Sequence, residues 1–186
     1  MKGSKSFLFL SVLVAVLVLG IAYAAITANF TITSSATVAP DGSNFKVAIT
    51  DVSNPTASEG VKLTNENGDS LVTAVGSGVT GTFTIAEGVL KTVGDEVTVT
   101  YTVTNSSEDL NAVLGEIKVE PVDANNEGNQ YVSFTASYGK TGAENLTLAK
   151  DGTNTIVVKA KLVKAPSDTT VSASSTIKFT ATAEEV

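Results

Sequence analysis

From Ala25 onward the apolar residues recur at every second position, and the residues carrying the pattern are mostly Val and Thr, with little Leu or Met. A period of two turns one face of an extended chain to a core and the other to water, so it predicts half-buried β-strands. The clearest run is 96–105, where Val97, Val99, Tyr101 and Val103 share one face and Thr98, Thr100, Thr102 and Thr104 the other. Similar alternation recurs at Phe45, Val47 and Ile49; at Phe83 and Ile85; at Ile117 and Val119; at Val132, Phe134, Ala136 and Tyr138; and at Ile156, Val158, Ala160 and Leu162. A last strand places Val171, Ala173, Ile177, Phe179 and Ala181 inward. Asp41-Gly42, Asn67-Gly68-Asp69, Val93-Gly94-Asp95, residues 139–142 and Asp151-Gly152 separate the strands, as turns that need φ > 0 or side-chain hydrogen bonding do. One helical segment is expected at Ser106 to Leu114, where Ser106-Ser107-Glu108-Asp109 would cap one or two turns. Strands at this spacing predict an all-β, antiparallel two-sheet sandwich, jelly-roll-like.

One predicted strand is unlike the rest. Residues 26–38 alternate without a turn residue: Ile26, Ala28, Phe30, Ile32, Ala36 and Val38 make an apolar face interrupted by Ser34, and Thr27, Asn29, Thr31, Thr33, Ser35 and Thr37 face the other way. At about 3.4 Å per residue the strand reaches roughly 44 Å, about twice the ordinary length. A sandwich of this size would leave part of it uncovered, and no Lys or Pro blunts it before Pro40. Two readings follow. Either the strand is donated to a neighbouring copy, a head-to-tail contact that builds an open filament, or it is the first strand of its own sandwich, bent across both sheets.

Ahead of it, Lys2 and Lys5 precede the unbroken apolar run 7–19, followed by Gly20, Ile21 and Ala22-Tyr23-Ala24. A charged start, a short apolar stretch and small residues at Ala22 and Ala24 have the form of a signal peptide cut before Ala25. The competing reading is a retained membrane anchor, since the apolar character runs through Ile26 and reaches the roughly 20 residues that span a bilayer. The expected organisation is a signal peptide over 1–24, a donor strand over 25–40 and a sandwich domain over 41–186.

Composition narrows the chemistry. Among 186 residues there is no Cys, His or Trp, and every one of the 12 basic residues is Lys. Disulfides, thiolate nucleophiles, serine triads and His- or Cys-ligated zinc are therefore excluded. A net charge of -7 without Arg argues against nucleic acid as a partner. The 19 acidic residues show no spacing that selects a carboxylate pair for glycoside chemistry, so no enzyme activity is expected.

The stretch Gly20-Ile21-Ala22-Tyr23-Ala24 with its following strand, and the segment "LKTVGDEVTVTYTVTNSSEDLNAVL" over 90–114 with its Gly94-Asp95 turn and Asn105, resemble the TasA/camelysin family of exported biofilm-matrix fibre proteins and their archaeal pilin-like relatives. The two stretches cover about a quarter of the chain. The resemblance implies a jelly-roll subunit whose mature N-terminal strand enters the next subunit, building a fibre in the extracellular matrix or on the cell. The chain departs from the family in opening with Ala25-Ile26-Thr27 where many members have an aromatic residue and then Ser or Asp. A metalloprotease role, attached to some relatives, lacks its His-Glu-x-x-His motif here.

Three weaker patterns complete the reading. Asp123, Asn125 and Glu127 lie in an oxygen-rich loop that could hold a structural calcium, without the Asp-x-Asp-x-Asp-Gly signature and with a plain solvated turn as the ordinary explanation. Asn29-Phe30-Thr31, Asn105-Ser106-Ser107 and Asn145-Leu146-Thr147 match the glycosylation acceptor pattern, which a Thr-rich chain also makes by chance. A type IV pilin is disfavoured because 26–38 reads as strand. The expectation is thus a secreted structural subunit that assembles with itself and meets a membrane only through its signal segment; the alternative is a membrane-anchored or wall-associated monomeric binding module.

Overall fold

The computed structural model of the chain describes residues 44–123, 127–165 and 172–185. They form ten strands: β1 (Val47–Val52), β2 (Thr56–Ala57), β3 (Val72–Ser77), β4 (Thr80–Ile85), β5 (Glu96–Asn105), β6 (Leu110–Pro121), β7 (Val132–Tyr138), β8 (Thr147–Leu148), β9 (Thr153–Leu162) and β10 (Ala173–Glu185). A 3-10 turn at Glu127–Gln130 and a one-turn helix α1 (Ala143–Leu146) interrupt them. One sheet runs β1-β5-β9-β7 with β2 also on β5; the other runs β3-β4-β10-β6-β8. Every pairing is antiparallel. From β5 onward each strand lies in the opposite sheet from the one before it, which makes the sandwich jelly-roll-like.

The predicted alternation is what fills the space between the sheets. Val97, Val99, Tyr101 and Val103 of β5 and Ile156, Val158 and Ala160 of β9 are wholly buried, and β4 contributes Phe83 and Ile85 from the facing sheet. Phe83 meets Phe134 of β7 edge to face, ring centroids 5.7 Å apart, a favoured aromatic geometry. Tyr101 can be buried because its hydroxyl donates to the Thr82 carbonyl at 2.8 Å. Beside it Gly81 has no room for a side chain, since a Cβ there would lie 2.8 Å from the Tyr101 ring.

Turn chemistry sets the registers. In the turn before β5, Gly94 has φ +106, a backbone region open to glycine. Asp95 Oδ2 accepts from the amides of Lys91 and Thr92 at 2.8 and 2.9 Å.

The structure corrects the helix expected at Ser106 to Leu114: residues 106–109 form an irregular turn and Leu110 opens β6. Asn105, fully buried, explains the difference. Its Oδ1 accepts from the Ser107 amide at 3.0 Å, and its Nδ2 donates to the carbonyls of Leu110 and Leu148 at 2.9 and 2.8 Å. The side chain thereby offers the backbone of 107–110 a local alternative to helix and ties it to β8. Ala112 and Leu114 then point inward at strand spacing. The same bonds place the Asn105 amide out of reach of glycosylation. β3 was not evident in the sequence, because its inward positions are Val72, Ala74 and Gly76, too small to announce an apolar face.

Candidate functional site

The two long sides of the sandwich differ. On the β1/β3 side the sheets are joined: the Ile49 amide donates to the Gly78 carbonyl at 2.7 Å. Ile49 also packs where a Cβ on Gly76 would be, 2.5 Å from its Cγ2. Val61, Leu63 and Leu71, from the long connection between β2 and β3, pack against the core as well.

On the opposite side β7 is the last strand of its sheet, and β8 covers β6 only at Ala112 and Val113. Beyond Val113, among the described residues, no strand pairs with the outer edge of β6, and none pairs with the outer edge of β7. Each edge therefore presents backbone donors and acceptors without a ladder partner. The inward side chains along this seam are Ile117 and Val119 of β6 and Phe134, Ala136 and Tyr138 of β7, and all five are only half-buried. Inward residues of β5 and β9, at the middle of their sheet, are closed off entirely.

Among the described residues one hydrogen bond joins β6 to β7 across the seam. Tyr138 Oη donates to the Gly115 carbonyl at 3.0 Å, and partial burial pushes the Tyr138 hydroxyl pKa up to about 12, because the ionised form would lose hydration. This bridge lies near the pole where β6 begins. At the other pole, where β6 ends and β7 begins, three large apolar side chains are exposed: Val93, Val122 and Val163 at 54, 56 and 50%. They are fixed to the strand ends through neighbouring backbone bonds, Gly94 to Leu162, Val122 to Ser174 and Val163 to Tyr131. The described chain begins at the pole of the Tyr138 bridge, where Val47 pairs with Asn105 and the Lys46 amide donates to Ser107 Oγ at 2.8 Å. The chain's N-terminal junction and the exposed valines thus occupy opposite poles.

Ala22, Ala24 and Ala25 at the expected cut, and Ile26, Ala28, Phe30, Ile32, Ala36 and Val38 of the expected donor strand, lie outside the described residues, as do Asn29, Val171, and Asn125 of the calcium loop. Asp123 uses its backbone carbonyl to accept from Asn129 Nδ2 at 2.8 Å, and Glu127 opens the 3-10 turn. Among the described residues there is no group of acidic side chains arranged to hold a metal ion. Nor is any helix there long and apolar enough to cross a membrane. Asn129 Oδ1 is buried and has no hydrogen-bond partner among the described residues.

The seam itself carried no sequence signal. Ile117, Val119, Phe134 and Ala136 alternate like any other strand residues, and only sheet order reveals that their strands end their pairing there. No family model matches the chain, and no curated protein or solved structure does either.

Proposed function

We propose that the protein is an exported structural subunit that polymerises head to tail, residues 26–38 of one copy adding a strand to the sandwich of the next, to form an extracellular fibre of the kind found in biofilm matrices. The observation that carries this reading is the asymmetry of the sandwich: one long side is joined between sheets, while the other leaves apolar side chains half-covered between two strand edges. The sequence supplies an uncharged ribbon with an apolar face that suits such an opening. Backbone hydrogen bonds would give affinity, and alternate side chains would give fit. The signal-peptide pattern over 1–24 supports export and exposure of the strand by cleavage before Ala25, and the resemblance to the TasA/camelysin proteins supports a matrix fibre. Without Cys, Arg or His, the chain offers backbone pairing and apolar burial as its principal means of self-association.

Electron microscopy of protein recovered after export tests the reading. Filaments whose number grows with concentration are expected, and Phe30→Asp, which would bury an unpaired carboxylate, should leave soluble monomers. Filaments of normal length from Phe30→Asp would overturn it.

A further inference from the structure

We infer that the receiving site is the β6/β7 seam and that residues 26–38 of a second copy lie there antiparallel to β7, extending the sheet to the order β1-β5-β9-β7-donor; this rests on the strand-donation reading above.

Three observations select the seam over the other edges. The β1/β3 side is already bridged by the Ile49–Gly78 bond, and β3 presents only Ala74 and Gly76 as partly covered inward residues beside its buried Val72. β8 is two residues long and cannot template a strand. Among the described residues, the seam combines two strand edges lacking ladder partners with half-buried apolar side chains on both, Ile117 and Val119 of β6 and Phe134 and Ala136 of β7. An inserted strand would cover that row with its Ile, Phe and Val side chains, and having no charge it would bring no desolvation penalty of an ion.

The poles give the direction. The described chain begins at the pole of the Tyr138 bridge, so residues preceding Asn44 leave the donor there. At the opposite pole of the acceptor Val93, Val122 and Val163 are exposed, and the β6–β7 connection with its 3-10 turn at Glu127–Gln130 crosses between the sheets, so the seam is open along its side and not at that end. In a head-to-tail stack the donor strand reaches the seam from that pole and is laid in along its open side, with Val38 nearest the start of β7 and earlier residues toward the Tyr138 bridge. Chain direction within the acceptor is then opposite to β7, as in every pairing of the sandwich, and antiparallel ladders are the slightly more stable kind. The occupant is a second copy because β1, where the chain's own N-terminal junction lies, and β7 are at opposite edges of one sheet. The donor position beyond β7 lies four strand spacings from β1, about 19 Å. The five residues 39–43 span about 17 Å even when fully extended, and they contain Pro40 and the Asp41-Gly42 turn signal.

Because the chain has no native Cys, cysteine pairs report the contact cleanly. Ser133 and Ser137 are exposed on the outer face of β7, and Thr73 is exposed on β3, so replacing any of them spares the core. Full-length chains carrying Ser133→Cys with Thr37→Cys, Ser133→Cys with Thr27→Cys, or Thr73→Cys with either donor cysteine are exported, assembled and treated with a short bis-maleimide. The expected result is a ladder of covalent multimers from Ser133/Thr37 and its loss with Ser133/Thr27. A ladder only from Thr73 would overturn the seam while leaving strand donation intact. A ladder from Ser133/Thr27 in place of Ser133/Thr37 would overturn the direction. Filaments with no ladder from any pair would overturn the seam assignment, and failure of all variants and the parent chain to form filaments would remove the strand-donation reading and this inference with it.

Discussion

Tyr138 on β7 and Gly115 on β6 are joined by a hydrogen bond, 3.0 Å from phenol to carbonyl, that ties one sheet to the other near one end of the seam. Tyr138→Phe removes that bond with little change of shape. The expected loss is about 1 kcal/mol of unfolding free energy, read as a lower urea midpoint at unchanged slope.

The same residue gives a pH signature. The Tyr138 hydroxyl titrates at about 12 in the fold against 10.0 when free, and burial likewise raises Tyr101 well above its ordinary range. The folded state therefore holds these protons more tightly than the unfolded chain. Their contribution is complete below pH 10 and is lost as pH climbs through 10 toward 12. Thermal unfolding followed across that window should show a falling midpoint, with a smaller fall in Tyr138→Phe.

Asn105 is the buried polar pin between strands. Asn105→Ala strands the carbonyls of Leu110 and Leu148 and the Ser107 amide, each worth about 1–3 kcal/mol when buried without a partner. A net loss of about 3 kcal/mol or more is expected in urea titration. Asn105→Asp should do no better, since it keeps the acceptor but supplies no amide donor.

Gly81→Ala would push a methyl into the Tyr101 ring at 2.8 Å. Overpacking of this kind costs about 1–3 kcal/mol, so the melting temperature should drop, and Gly81→Ala combined with Tyr101→Leu should recover part of the loss. Additive effects of the two changes in calorimetry would contradict the contact.

The ion pairs should matter little. Lys159 to Glu96 at 2.9 Å and Lys178 to Glu120 at 3.2 Å are solvent-accessible on the outer faces, where such pairs contribute about 0–1 kcal/mol. Lys159→Ala and Lys178→Ala should each shift the urea midpoint only slightly.

Much of the fold was legible because burial and sequence period coincide: Val97 to Val103 and Ile156 to Leu162 alternate in sequence and are buried as read. The helix expected at Ser106 to Leu114 failed because capping-type residues also serve turns, and Asn105 reaches across strands to partners 5 and 43 residues away. β3 was missed because Gly76 faces Ile49 through the absence of a side chain. The seam depends on which strands lack neighbours, a property of topology and not of any one stretch of residues.

Hydrogen exchange of the exported protein, compared between dilute monomer and assembled material, tests the central claim most directly. Amides of 26–38, and those of Val132, Phe134, Ala136 and Tyr138 that point away from β9, should exchange fast in the monomer and become protected together on assembly. Protection of 26–38 already present in dilute monomer and unchanged by concentration would contradict the account, because the strand would then belong to its own sandwich.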